Sequence, residues 1–543
     1  MEEKIKVSTF NPNSQRSISY HISLYPFSIF LIFSLIPNFC VALQKPPPLP
    51  ILPLPSAAQL QWQLTSMALF LHFGTNTFTD SEWGTGRADP SIFNPTRFNA
   101  SQWVQVAKDS GFNRLILTAK HHDGFCLWPS EYTDYSVKSS SWMNGTGDVV
   151  KDLALAAKEA GLNLGLYLSP WDRHESCYGK TLEYNEFYMA QMTELLTRYG
   201  EIKEVFLDGA KGQGEKDMEY YFESWMSLIH QLQPGAVIFS DAGPDIRWIG
   251  DEAGFAGSTC WSLFNRSASK IGDTDPIYQQ RGDSSGHDWV PAECDVSIRP
   301  GWFWHASETP KSAIELLDIY YKSVGRNCLL LLNVPPNSSG LISVEDIQVL
   351  QEFAKLRASI FSYNLAKNAL LRASSTRGGA NSYSQYDCYN VLTEGFYTYW
   401  APEENESKWE LHVDLQEPLS FNILQVEEPI QMGQRIIEFH LEILKDGNWK
   451  KLMNGTTVGY RRILRFPTVK CHQLKLVIDK SRADPLISYL GIFMDQFSIV
   501  NNRFDNSSQA HLNCSQESAS NHYLNGSVAL LQPTKTHSQT AAM

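Results

Sequence analysis

The feature that most constrains this chain is a rhythm. Short, almost wholly apolar runs recur at Met67–Leu71, Arg114–Thr118, Leu162–Tyr167, Glu204–Leu207, Ala236–Phe239 and Cys328–Leu332. Runs without polar alternation suit strands covered on both faces, as parallel strands beneath helices are. Most of the segments between them read as helices, legible from their ends. Asp148 precedes Val149, Val150, Leu153, Ala156 and Ala157, apolar at helical spacing, and Gly161 stands where a left-handed cap is needed. Ser101–Asp109 likewise ends at Gly111, and Phe187–Tyr199 at Gly200. Carried over about three hundred residues, this predicts a (β/α)8 barrel of the TIM type, with an open doubly wound sheet as the alternative. No GxGxxG follows the first run, so nothing favours a dinucleotide fold.

Around residue 360 the period becomes two. Trp409, Leu411, Val413 and Leu415 alternate with polar residues, as do Ile437, Phe439, Leu441 and Ile443. The hairpin signal Asp446-Gly447 follows, then Leu474, Leu476 and Ile478. This predicts an antiparallel β-sandwich over 361–500, similar to discoidin-like modules, with Tyr397 and Trp400 as candidate sugar-binding loop aromatics. The barrel is expected over 58–360. Ahead of it, Lys45 to Pro55 is a proline run, and 43–57 reads as an extended linker. Residues 501–543 are polar and aperiodic and read as a disordered tail.

Lys4, Lys6 and Arg16, then an apolar stretch from Ile22 closing on Cys40-Val41-Ala42, form the parts of a secretory signal over 1–42. Nine Asn-X-Ser/Thr sequons agree with secretion: Asn99, Asn144, Asn265, Asn337, Asn405, Asn454, Asn506, Asn513 and Asn525. With a net charge of -13 and no long basic run, nucleic acid is not an expected partner, nor is a membrane once the signal is removed. Of nine cysteines Cys40 falls in the signal; disulfides are possible among the rest, while Cys126 and Cys328, in apolar strand-like surroundings, read as buried thiols.

Barrel enzymes build their sites where strands end, and here those positions share one chemistry. His72-Phe73-Gly74 follows the first run, with Glu82-Trp83-Gly84 shortly beyond. His121-His122-Asp123-Gly124-Phe125 follows the second, Tyr167 and Ser169-Pro170-Trp171-Asp172 the third, and Asp208-Gly209 the fourth. Singly each has a plain alternative: a turn or cap at Asp208, core packing at the histidines, a loop anchor at Glu82-Trp83. Together they suit a neutral, hydroxyl-rich ligand, since indoles supply stacking faces while imidazoles and carboxylates pair with hydroxyls. A metal site is the rival reading of His72, His121, His122 and Asp208, but HxH and HExxH spacings are absent.

These strings, in this order, resemble the α-L-fucosidases of glycoside hydrolase family 29 from about Met67 to Pro335, and look closest to the secreted plant α-1,3/1,4-fucosidase type. The resemblance implies a cofactor-free retaining hydrolase of fucosylated oligosaccharides or glycoproteins. It implies Asp208 as nucleophile, with His72, Glu82, Trp83, His121, His122 and Tyr167 holding fucose. Trp171, and Trp302 or Trp304 as an apolar wall facing the fucose methyl, are further candidates. The acid/base is placed on the loop Trp248-Ile249-Gly250-Asp251-Glu252-Ala253-Gly254, at Glu252, with Glu293 as the alternative. A retaining mechanism asks for two carboxyls about 5 to 5.5 Å apart, one ionised and one raised in pKa. Two competing functions remain open: a fucose-binding lectin without turnover, and a metal-dependent barrel hydrolase.

Overall fold

The computed structural model describes residues 45–211, 214–379 and 385–497. The expected signal, the C-terminal tail and the sequons Asn506, Asn513 and Asn525 lie outside the described residues. Eight parallel strands close a barrel: β1 (Met67–Leu71), β2 (Arg114–Lys120), β3 (Asn163–Leu168), β4 (Glu204–Phe206), β5 (Val237–Ser240), β6 (Ile246–Trp248), β7 (Ala292–Ser297) and β8 (Leu329–Asn333). Alternate residues divide the packing. Leu69, Leu115, Leu166, Leu330 and Leu332 face outward into the layer shared with the helices. Ala68, Phe70, Ile116, Tyr167, Phe206, Phe239 and Leu331 fill the interior.

Helix Val149–Ala160 is capped at its start by the Asp148 carboxylate on the Lys151 amide, and Gly161 closes it at φ 74°. The repeat is incomplete: only residues 241–245 join β5 to β6, with no helix between them. Between β6 and β7 stand a two-strand ribbon, Leu263–Phe264 with Asp288–Trp289, and the short helix Pro276–Arg281. Helix Ala57–Leu64, begun by a capping box of Ser56 and Gln59, lies at the N-terminal ends of the strands, where the Trp62 indole donates to Glu204 at 2.8 Å.

The C-terminal part is one six-stranded antiparallel sheet rather than two separate ones. Its two long strands, Trp409–Glu427 and Arg462–Ser481, break register between Asp414 and Leu419. One half of the first strand pairs Leu370–Ala373 and the other half Tyr489–Phe493, so a single sheet folds over its own core. Trp400 belongs to that core: it is fully buried and its indole donates to Ser375 O, so it is no loop aromatic, whereas Tyr397 is 83% exposed.

The barrel and this sheet share apolar packing. Ile423, Ile430, Tyr460, Ile463, Tyr489 and Phe493 join the barrel's outer core. Tyr460 donates to Cys328 O, Tyr321 to Asp495, and Arg465 to Asp318 across the same boundary. The proline segment does not stand free as a spacer. Ile51 N donates to Met432 O, while Arg435 and Arg482 donate to Leu49 O and Leu52 O, fastening it to loops of the C-terminal sheet. Cys328 is not a thiol; it is bonded to Cys294, across neighbouring strands β7 and β8, whereas Cys126 is a buried thiol.

Candidate active site

Side chains two apart on a strand point the same way, so β4 and β7 each carry a ladder up the barrel interior. On β4 and its continuation the ladder is Glu204, Phe206 and Asp208. On β7 it is Glu293, Asp295 and Ser297. The lower rungs, Glu204 and Glu293, are fully buried beside Arg114 and Trp62, with Arg114 Nη1 3.2 Å from Glu204 Oε2. The upper rungs, Asp208 and Asp295, open into a cavity of about 650 Å³ at the C-terminal ends of the strands. Phe70, Phe206 and Phe239 contribute its apolar surface, and His72, His121, His122, Glu82, Trp83, Tyr167, Trp248, Glu252, Asp241 and Trp302 also line it.

Asp208 is held from two sides. Tyr167 Oη donates to Oδ2 at 2.9 Å and the amide of Ala210 to Oδ1 at 2.7 Å. Burial, reinforced by the Asp208 charge, pushes the Tyr167 phenol well above its usual range, so it stays a donor. Three imidazoles, those of His72, His121 and His122, line the same cavity. Burial lowers all of them, His72 to about 3, so they are neutral near pH 7.

Their partners assign two tautomers. Asn333 uses its amide nitrogen on Ser297 and Trp302 O, so its oxygen accepts from His72 Nδ1 at 2.8 Å. Ser169 donates to Trp171 O and therefore accepts from His122 Nδ1 at 2.7 Å. The Nε2 atoms of His72 and His122 are thereby left as acceptors. His122 Nε2 lies 3.7 Å from Asp208 Oδ2, a gap suited to a hydroxyl that donates to one or the other.

Glu82, from the loop after β1, grips the loop after β7. Its Oε2 accepts from Trp302 N at 2.8 Å, and its Oε1 from Phe303 N at 3.3 Å and from His305 Nε2 at 2.6 Å. The Trp302 indole in turn donates to Glu252 Oε2 at 3.3 Å. Glu252 is on the rim, exposed on one side, and a backbone bridge between Ala253 and Val296 ties its loop to β7. Desolvation by its neighbours, with smaller contributions from Asp208 and Glu82, raises its carboxyl above the usual range. Trp83 packs edge-on against Trp171, and Arg173 and His174 hold its loop through the carbonyls of Gly84 and Gly86.

Nine of the twelve residues expected from sequence line the cavity. Glu293 does not. It sits one rung, about 6.6 Å along the strand, below Asp295 and faces Glu204 inside the barrel floor. Trp171 lies behind His122, ring centroids 4.7 Å apart, supporting rather than lining. Trp304 is also off the cavity, and the inward position beside Trp302 goes to Phe303, packed on His72 and His121. Sequence reading missed Asp241 and Asp295. Asp241 accepts from Gly272 N at 2.8 Å, lies against Gly209, and is raised to about 6 by burial. Asp295, which accepts from the Trp248 indole at 2.7 Å, is raised by burial and by the charge of Glu252. Among the described residues no three His, Cys, Asp or Glu side chains converge as metal ligands.

The comparisons with known proteins agree in one direction. A family model described as alpha-L-fucosidase matches residues 59–357. The chain is 72% identical over 460 residues to alpha-L-fucosidase 1 of Arabidopsis thaliana, covering 84% of this chain and 90% of that protein. Among solved structures it is similar to SpGH29, with 40% identity and a TM-score of 0.79 over 83% of this chain and 100% of that one. It is also similar to a Ruminococcus gnavus family 29 fucosidase solved in complex with fucose, with 35% identity and a TM-score of 0.77 over 83% of this chain and 97% of that one.

Proposed function

This chain belongs to the α-L-fucosidases of glycoside hydrolase family 29, enzymes that hydrolyse α-L-fucosides with retention, and on that premise we propose that Asp208 is its nucleophile and Glu252 its acid/base. The observation that carries the assignment is the pairing of a fixed carboxylate deep in the cavity with a raised carboxyl at its mouth. Asp208 is aimed by Tyr167 and the Ala210 amide and attacks the anomeric carbon. Glu252 first protonates the departing oxygen and then, as a carboxylate, takes a proton from the water that hydrolyses the fucosyl ester.

The neutral imidazoles of His72 and His122 accept from fucose hydroxyls, while Glu82, Trp83, His121 and Tyr167 complete the pocket. The sugar's methyl group rests on the apolar wall made by Trp302 and the phenylalanine rings. At about 650 Å³ the cavity exceeds one deoxyhexose, which leaves space for part of a branched aglycone, in keeping with α-1,3/1,4-linked fucose on oligosaccharides or glycoproteins as the substrate.

Secretion forms part of the same proposal. The signal-like segment, the exposed sequons Asn99, Asn144, Asn405 and Asn454, and the Cys294–Cys328 bond all suit an oxidising, extracellular setting. A panel of α-1,2-, α-1,3-, α-1,4- and α-1,6-fucosylated oligosaccharides, followed by proton NMR, tests the reading. Release of α-L-fucose as the first-formed anomer, fastest from the 1,3 and 1,4 linkages, supports it. Release of the β-anomer overturns the retaining mechanism here, and preference for another linkage overturns the substrate assignment.

A further inference from the structure

Asp80 and His305, to which no role has been given above, form a chain that ends on Glu82 of the pocket. Asp80 ends the short helix Thr75–Thr79 after β1, in a left-handed turn, and its side chain is 78% exposed. His305, on the loop after β7, is 12% exposed and lies between the two acids: Nδ1 is 2.6 Å from Asp80 Oδ1 and Nε2 is 2.6 Å from Glu82 Oε1. A neutral imidazole has one N–H and satisfies one of these contacts, whereas both carboxylates are satisfied only by the imidazolium. Gly301 makes this fit possible, since a Cβ there would meet Glu82 Oε1 at 2.5 Å and His305 Cδ2 at 2.9 Å.

Glu82 passes the constraint onward. It holds the backbone amides of Trp302 and Phe303, and the Trp302 indole reaches Glu252. One continuous set of hydrogen bonds therefore runs from an exposed acid outside the pocket to the carboxyl at its mouth.

We propose that His305 is a positioning residue which, as an imidazolium, clamps the loop after β1 to the loop after β7 and so sets the Trp302 wall and the Glu82 carboxylate for sugar binding. This rests on the assignment of the pocket given above. The charged groups facing His305 are Asp80 and Glu82 on one side and Glu308 on its own loop. Arg299, which donates to the Glu308 carbonyl, is itself paired with Asp346. Burial lowers the affinity of His305 for its proton, but the two acids outweigh it, so the imidazolium persists above the ordinary histidine range. When it finally loses its proton, one carboxylate is released, the clamp opens, and sugar binding weakens while the carboxyl chemistry is untouched.

The experiment is the pH dependence of kcat/KM on 4-nitrophenyl α-L-fucoside, whose acidic leaving group makes protonation by Glu252 unimportant on the alkaline side. The wild-type protein should show an alkaline fall carried by KM. Asp80→Asn keeps a hydrogen-bonding side chain, removes a charge outside the cavity, and should move that fall to lower pH. His305→Gln should lower kcat/KM about tenfold at the optimum, mainly through KM, and should flatten the alkaline fall. Circular dichroism confirms that both variants fold. An Asp80→Asn profile superimposable on wild type overturns the clamp, as does a His305→Gln variant that keeps the wild-type pH dependence. Failure of the catalytic assignment reads differently: Glu252→Ala would then cleave oligosaccharides normally, whatever the Asp80→Asn profile shows.

Discussion

Tyr167 donates to the Oδ2 oxygen of Asp208 at 2.9 Å, and because the phenol is fully buried it has little freedom to point elsewhere. The bond links the third strand to the end of the fourth and fixes the angle at which the carboxylate faces the cavity. Tyr167→Phe keeps the ring and removes only the donor. Its kcat on an aryl fucoside should fall by roughly 10- to 100-fold with KM changed little, as for loss of an orienting hydrogen bond in a preorganised site. Thermal unfolding should stay near wild type. A large KM effect with kcat preserved would place Tyr167 on the sugar instead.

Glu293, in the barrel floor, has the opposite character. Burial raises its carboxyl well above the ordinary range, the neighbouring Glu204 raises it further, and Arg114 opposes both. The folded chain thus retains a proton that an unfolded Glu releases near pH 4.3. Between that pH and the raised folded value the native state binds more protons than the unfolded state, so this site's contribution to stability falls as pH rises. Glu293→Gln should therefore increase the melting temperature more at pH 8 than at pH 5, with activity on oligosaccharides retained. Loss of activity with an acid/base signature would return Glu293 to the reaction.

How far the sequence discloses this molecule depends on what each residue faces. Six barrel strands are legible because helices cover one face and apolar neighbours the other, so their runs carry no polar interruption. β6 is three residues long and leaves no periodic trace, and β7 hides because Glu293, Asp295 and Ser297 point inward, which makes its sequence resemble a half-solvated loop. Strand-end residues such as His72, His121, His122 and Asp208 were found from their position after a run. Asp241 and Asp295 were not singled out, because one belongs to a unit without a helix and the other to a strand without an apolar pattern. Trp171 and Trp304 show the limit from the other side. An indole near a strand end is either wall or support, and only the packing around His122 and Phe303 decides.

The C-terminal sheet should prove inseparable from the barrel, although every candidate catalytic residue precedes it. Tyr460, Ile463, Tyr489 and Phe493 complete the barrel's outer core, and Tyr460 and Asn327 pair across the boundary. Removing residues after Phe361 exposes that apolar surface and leaves buried polar groups unpaired. The shortened chain is expected to be insoluble or to lack a cooperative melting transition. A soluble, cooperatively folding and active barrel would show that the shared packing contributes little.

Glycan occupancy should follow the geometry of the asparagines. Asn144, Asn405 and Asn454 are exposed, whereas Asn337 is half-buried, its amide nitrogen donates to Ser343 and its oxygen accepts from the Ser339 and Leu341 amides. Protein secreted from a plant or insect host should carry glycans at the first three and not at Asn337, as read by glycopeptide mass spectrometry. Full occupancy at Asn337 would mean that modification precedes folding of that loop.

The two carboxyls give the most direct test, because their losses differ in kind. Asp208→Ala removes the atom that bonds to the sugar, so turnover should fall by several orders of magnitude on every substrate while the fold persists. Azide should then occupy the vacated space and attack from that side, giving β-fucosyl azide with inversion. Glu252→Ala leaves the nucleophile in place. It should keep appreciable activity on nitrophenyl fucoside, whose leaving group departs unassisted, and fail on oligosaccharides, whose leaving oxygen needs a proton. Azide added to that variant meets a fucosyl ester already formed on Asp208 and so yields the α-azide. The raised carboxyl of Glu252 adds a pH signature: activity on oligosaccharides should decline as pH rises through its pKa, and that limb should vanish in Glu252→Ala. Asp295 also lines the cavity, stands close enough to feel the charge of Glu252, and is the alternative carboxyl to test for the proton. If Glu252→Ala behaves normally on oligosaccharides while Asp295→Ala shows the selective loss and the α-azide product, the acid/base role moves across the bridge between Ala253 and Val296, and Asp208 keeps its own.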